Sequence, residues 1–63
     1  MKVFIEGEGK VEVKEETTYL TLSKDMGYHK DHIITLENEK PVPMDKIIED
    51  GVNIKFINVV SGG

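Results

Sequence analysis

Asp50-Gly51-Val52-Asn53-Ile54-Lys55-Phe56-Ile57-Asn58-Val59-Val60-Ser61-Gly62-Gly63 is the stretch that decides the architecture. Glu49-Asp50-Gly51 predicts a tight turn, because glycine and aspartate supply the backbone angles that turns need. Residues 52–60 then predict a strand, with polar and apolar residues alternating over Asn53-Ile54-Lys55-Phe56-Ile57. Alternation puts Ile54, Phe56 and Val60 on one face and Ile57 and Val59 on the other. The strand leads into two residues without side chains. Lacking Cβ, Gly62 and Gly63 adopt almost any backbone angle and fit a channel too narrow for other residues, and Ser61 before them is small. A projecting carboxyl group on Gly63 is the expected reactive group.

Working back from that strand, Met44 through Ile48 predicts one helical turn opened by Pro43 or Asp45, with Met44, Ile47 and Ile48 packed under the sheet edge. Pro41-Val42-Pro43 reads as a short edge piece, since proline donates nothing to a ladder. Glu37-Asn38-Glu39-Lys40 is a turn built on Asn38, and His32-Ile33-Ile34-Thr35-Leu36 is a strand rich in β-branched residues. Tyr28 through Asp31 connects it to a helix over about residues 18–26. There Tyr19, Leu22 and Met26 form one stripe, Thr17 or Thr18 caps the start, and Gly27 ends it. Lys2-Val3-Phe4-Ile5-Glu6 and Lys10-Val11-Glu12-Val13-Lys14 flank Gly7-Glu8-Gly9 as a hairpin. The order β-β-α-β-β(short)-turn-β predicts an α+β fold: a mixed sheet packed on one helix, residues 1–63 as a single domain with residues 61–63 as its tail.

Composition narrows the function. Sixty-three residues with 38% hydrophobic content supply one small core and no deep substrate cavity, which argues against an enzyme with its own enclosed site. The absence of cysteine excludes disulfides, thiolate nucleophiles and cysteine zinc sites, and fits a cytoplasmic protein. Eight evenly spread lysines, no arginine, twelve acids and a net charge of −4 argue against nucleic-acid binding. They suit docking on a basic partner surface. No apolar run is long enough to span a bilayer, and no signal peptide is visible. His29 and His32 are three apart, but only Asp31 joins them as a further ligand candidate, so they read as solvated histidines and no metal site is expected.

These residues carry a resemblance. Met26-Gly27-Tyr28 is similar to a helix-ending Leu-Gly motif, and Leu36-Glu37-Asn38-Glu39-Lys40-Pro41-Val42-Pro43 to an "NG-x-x-V-P" turn. Asp50-Gly51 stands at the matching distance from a small-Gly-Gly ending, Ser61-Gly62-Gly63. Together they resemble the ubiquitin-like β-grasp sulfur carriers. The closest likeness is to the thiamine-pathway carrier (ThiS); the molybdopterin-synthase small subunit (MoaD) and the archaeal small modifier proteins are similar. Three places depart from the pattern: Glu39 replaces the usual turn glycine, Val52 an acidic residue, and Thr21 and Ser23 flank Leu22 where paired leucines are usual.

The resemblance implies a carrier rather than a catalyst, with no cofactor of its own. A ubiquitin-activating-type adenylating enzyme, using ATP and magnesium, would convert the Gly63 carboxylate to an acyl-adenylate. A sulfur donor protein would then yield a thiocarboxylate, and a sulfur-accepting synthase would consume it, in cofactor biosynthesis or tRNA thiolation. A hydrophobic patch beside the tail would meet the activating enzyme, and Ile57, Val59 and Phe4 are its candidates. Simple coverage of a small core is the competing reading for all three, and the favoured one for Phe4. Two alternatives stay open: a modifier joined through Gly63 to target lysines, and a non-catalytic interaction domain whose glycines are incidental.

Overall fold

Alternation at the N-terminus sets the sheet. In β1 (Lys2–Ile5), Val3 and Ile5 are buried while Lys2 and Phe4 face outward. The Gly7-Glu8-Gly9 turn returns the chain as β2 (Gly9–Glu12), antiparallel to β1 with Val3 opposite Val11. The computed structural model describes residues 1–59, and its last strand, β5 (Asn53–Asn58), is the centre of the sheet. β1 joins β5 in parallel, Phe4 beside Asn53 and Ile5 beside Ile54. β3 (Ile33–Glu37) joins it antiparallel on the other side, Ile33 opposite Asn58 and Ile34 opposite Ile57. β4 (Lys40–Pro41) completes a five-stranded order β2-β1-β5-β3-β4.

One helix covers one face of this mixed sheet. In α1 (Tyr19–Asp25), Tyr19 and Leu22 lie in the core with Val3, Ile5, Val13, Ile48, Val52 and Ile54, and Met26 packs against them. Thr18 is the N-cap, its Oγ1 accepting the Thr21 N–H at 3.3 Å. At the far end Gly27 takes φ +88°, a left-handed angle that costs glycine nothing. The Gly27 N–H donates to the Lys24 carbonyl and the Tyr28 N–H to the Ser23 carbonyl, the paired bonds of a Schellman stop. Ser23 is fully buried; its hydroxyl donates to the Leu20 carbonyl at 2.9 Å, which accommodates a polar residue where a leucine was the usual choice. Val52, the apolar departure, is also in the core.

Residues 44–48 do not form the expected helical turn. The segment is extended enough for Ile47 to bridge antiparallel to Thr18, and only Lys46 N–H to Pro43 carbonyl, at 3.2 Å, closes a turn. The cause lies in the neighbouring helix. The first amides of a helix have no partner within it, and here Tyr19 N–H donates to the Lys46 carbonyl at 3.2 Å and Leu20 N–H to the Met44 carbonyl at 2.8 Å. The segment spends its carbonyls on the start of α1. Alternation along it buries Ile48 and leaves Ile47 half exposed, so of the two isoleucines only Ile48 packs inward.

Candidate functional site

Ser61, Gly62 and Gly63, the expected reactive end, lie outside the described residues, as does Val60. β5 is hydrogen-bonded to strands on both sides, and just beyond it the Val59 N–H donates to the His32 carbonyl at 2.7 Å. His32 ends a short 3-10 turn, Lys30–His32, that leads straight into β3.

The sheet face away from α1 carries the candidate docking residues. Ile57 is half-buried and sits opposite Ile34, which is 44% exposed. Val59 is 42% exposed just past the strand. Phe4 is on the same face and exposed, yet β1 pairs with the start of β5, at Asn53. That places Phe4 about 13 Å from Ile57 along the strand direction, four residues at about 3.3 Å each. Lys55 stands between them, paired to Glu6 at 3.1 Å, with Leu36 opposite on β3. The structure therefore joins Ile57 and Val59 to Ile34 at the tail end, and sets Phe4 with Leu36 at the other. Phe4 does not cover the core. Ile34 was missed by reading the sequence, although Ile33 and Ile34 are adjacent in a strand and cannot both face inward.

A second polar feature lies on the helix side. The Tyr19 hydroxyl, on a fully buried side chain, donates to Glu37 Oε1 at 2.6 Å. Lys46 Nζ donates to the same carboxylate at 2.8 and 3.1 Å. The Lys46 ammonium, and then the Tyr19 hydroxyl, hold the Glu37 carboxyl below the ordinary carboxylate range. Glu37 in return raises Lys46. Burial, reinforced by Glu37, keeps the Tyr19 phenol protonated well above the usual tyrosine range. Such a set ties α1, β3 and the 44–48 segment together. Among the described residues no three His, Cys, Asp or Glu side chains converge as metal ligands, and no helix is long and apolar enough to cross a membrane.

This arrangement is a scaffold that holds a central strand and the start of the chain leaving it. Its fold is shared with the crystal structure of SAMP1 from Haloferax volcanii, at a TM-score of 0.61 and 19% identity, covering 98% of this chain and 97% of that one. The fold is thus the ubiquitin-like β-grasp. No curated protein matches the sequence. A family model described as small archaeal modifier protein 2 matches residues 1–60. The chain belongs to the small archaeal modifier protein 2 family.

Proposed function

We propose that this protein works through the carboxylate of Gly63, taken as the last residue of the active chain. A carboxylate is a poor electrophile, and it becomes reactive as a mixed anhydride with AMP. In this reading a ubiquitin-activating-type enzyme supplies ATP, magnesium and the cationic groups that stabilise charge on the phosphates. The Gly63 carboxylate oxygen attacks the α-phosphorus, and pyrophosphate leaves. Sulfide-level sulfur, delivered by a donor protein, then attacks the acyl carbon, AMP leaves, and Gly63 carries a thiocarboxylate. That sulfur is nucleophilic enough to be passed to an acceptor such as a thiazole, molybdopterin or tRNA precursor. The protein contributes presentation and fit: Ser61 and Gly62 thread the channel, and Ile57, Val59 and Ile34 form the docking surface nearest the tail.

The observation that supports this most is continuity. The central strand, braced on both sides, ends at Asn58 and the sequence runs on through Val59-Val60 to Ser61-Gly62-Gly63. A second fate of the same adenylate is favoured by the description of the matching family as modifiers: a lysine amine on a target attacks in place of sulfide, giving an isopeptide. Intact mass separates the two. With the adenylating enzyme, ATP, magnesium and sulfide, exchange of one oxygen for sulfur on Gly63 marks a carrier, whereas adducts on other proteins mark a modifier. A Gly63→Phe variant should keep the wild-type circular dichroism and lose adenylation. Adenylation of that variant at the wild-type rate would rule out the narrow-channel argument.

A further inference from the structure

β2 is an edge of the sheet, and its order of charges is self-complementary. In the order β2-β1-β5-β3-β4 it pairs only with β1, so one side of its backbone has no strand partner among the described residues. The ladder shows which residues face that side. The Met1 ammonium donates to the Val13 carbonyl at 2.8 Å, and the Val13 N–H to the Met1 carbonyl at 2.7 Å. Hydrogen-bonded and non-bonded pairs alternate along an antiparallel ladder. Val3–Val11 and Ile5–Gly9 therefore exchange bonds, while Lys2–Glu12 and Phe4–Lys10 do not. Phe4 agrees, since its N–H goes the other way, to the Val52 carbonyl at 3.0 Å. The amides and carbonyls of Lys10 and Glu12 thus point out of the sheet edge, and both residues are exposed. Such an edge is a template for another strand. Antiparallel pairing of two copies about a two-fold axis at Val11 sets Lys10 opposite Glu12 of the second copy, and Glu12 opposite its Lys10. The outward backbone groups of each pair then face one another. The same register sets Glu8 level with Lys14 of the second copy, both exposed. Moving the axis to Lys10 opposes Lys10 to itself and Glu8 to Glu12; moving it to Glu12 opposes Glu12 to itself and Lys10 to Lys14. Like charges directly opposite are destabilising. A shift of one residue presents Val11, whose backbone groups are already used by Val3.

We propose that two copies of this chain pair through β2, antiparallel about Val11, and join their sheets into one. A foreign strand would match the backbone of this edge equally well, but the chain itself carries the complementary order of charges. Glu12 Oε2 also accepts the Met1 ammonium at 2.7 Å, yet the side chain is 68% exposed, which leaves Oε1 for a lysine. The opposite edge, β4, is two residues long and holds Pro41, which has no N–H to give, so pairing closes at two copies. The contact is short, and the dimer is correspondingly weak, with a Kd on the order of 1 mM. Edge pairing covers neither face of the sheet, and Ile34, Ile57 and Val59 stay accessible in both copies. The dimer does not depend on reading Gly63 as the reactive end.

The test is association of the full chain. Sedimentation velocity from about 0.05 to about 2 mM, a range that brackets this affinity, should show the mass rising from monomer toward dimer. In an equal mixture of 13C-labelled and unlabelled chains, an isotope-filtered NOE should join the Val11 α-protons of the two copies, which lie close across a non-hydrogen-bonded pair. Lys10→Glu should weaken association about tenfold, because two opposite-charge pairs become like-charge pairs. Lys40→Glu makes the same change in net charge on the other edge and should leave association unchanged. Glu12→Lys alone also opposes like charges, but its equal mixture with Lys10→Glu restores every opposite pair and should associate as tightly as the wild type. Because Glu12 holds the Met1 ammonium, circular dichroism checks that Glu12→Lys folds; where it does not, Lys10→Glu against Lys40→Glu decides. A wild type that stays monomeric, equal weakening in Lys10→Glu and Lys40→Glu, or a folded mixture that fails to associate overturns the proposal.

Discussion

Glu39 sits at φ 72°, directly after Asn38 at φ 50°, in the two-residue turn between β3 and β4. Two consecutive left-handed residues are what the right-handed twist of a tight hairpin requires, and the usual solution is Asn-Gly. Asn38 suits the position: its Oδ1 accepts the Asn53 N–H at 2.9 Å and its own N–H donates to the Asn53 carbonyl at 2.7 Å, tying the turn to the start of β5. Glu39 is exposed and has no such compensation among its hydrogen bonds. A left-handed angle costs a residue with a Cβ about 1–2 kcal/mol, and glycine recovers part of that while adding entropy to the unfolded chain. Glu39→Gly should therefore stabilise the protein by about 0.5–1 kcal/mol, seen as a rise of several degrees in the thermal midpoint. A fall in the midpoint would show that the Glu39 side chain contributes more than its backbone angle costs.

At the scale of elements, the chain is most legible where the signal is local. Strand alternation set Ile54 on the face opposite Ile57, the Tyr19–Leu22–Met26 stripe marked α1, and Thr18, one of the two cap candidates, and Gly27 closed its two ends. Residues 44–48 were illegible for a specific reason: their conformation answers to the unpaired amides of α1, which lie far away in sequence. The docking face follows the same rule. Alternation put Ile57 and Val59 outward, but the pairing register of β1 and β3 on β5 separates Phe4 from Ile57 and sets Ile34 opposite it instead. The capping role of the 44–48 segment has a measurable consequence. First-turn helix amides usually exchange freely, because they lack intrahelical partners. Here Tyr19 and Leu20 should be protected about as well as Leu22, by amide hydrogen exchange, since Lys46 and Met44 carbonyls accept from them. Free exchange at both positions would mean that the segment does not hold the helix start.

At the scale of the whole molecule, charged contacts connect what alternation cannot. Lys46 and Glu37 are separated by a turn, an edge strand and two prolines, and Tyr19 comes from the helix, so nothing in the sequence announces that they meet. The set governs how stability responds to acid. The Glu37 carboxyl is held below its ordinary value of 4.5, chiefly by Lys46 and then by Tyr19. A carboxyl depressed in the folded state stabilises above its unfolded value, and that contribution is lost as pH falls through the folded one. Alkali works from another place. The Met1 ammonium, 2.7 Å from Glu12 Oε2, is raised above its ordinary 8.0 chiefly by that hydrogen bond. A raised cation stabilises below its unfolded value and loses that contribution as pH climbs through the folded one, so the first alkaline decline belongs to Met1. Lys46, raised by Glu37, and Tyr19, raised by burial, decline only at higher pH, by the same sign. Urea midpoints followed against pH should therefore show an acid limb below 4.5 that flattens in Glu37→Gln. A separate step above 8.0 should persist in that variant and vanish in Glu12→Gln. An acid limb of unchanged steepness in Glu37→Gln would remove this carboxylate from the acid response and assign that response to groups elsewhere on the surface.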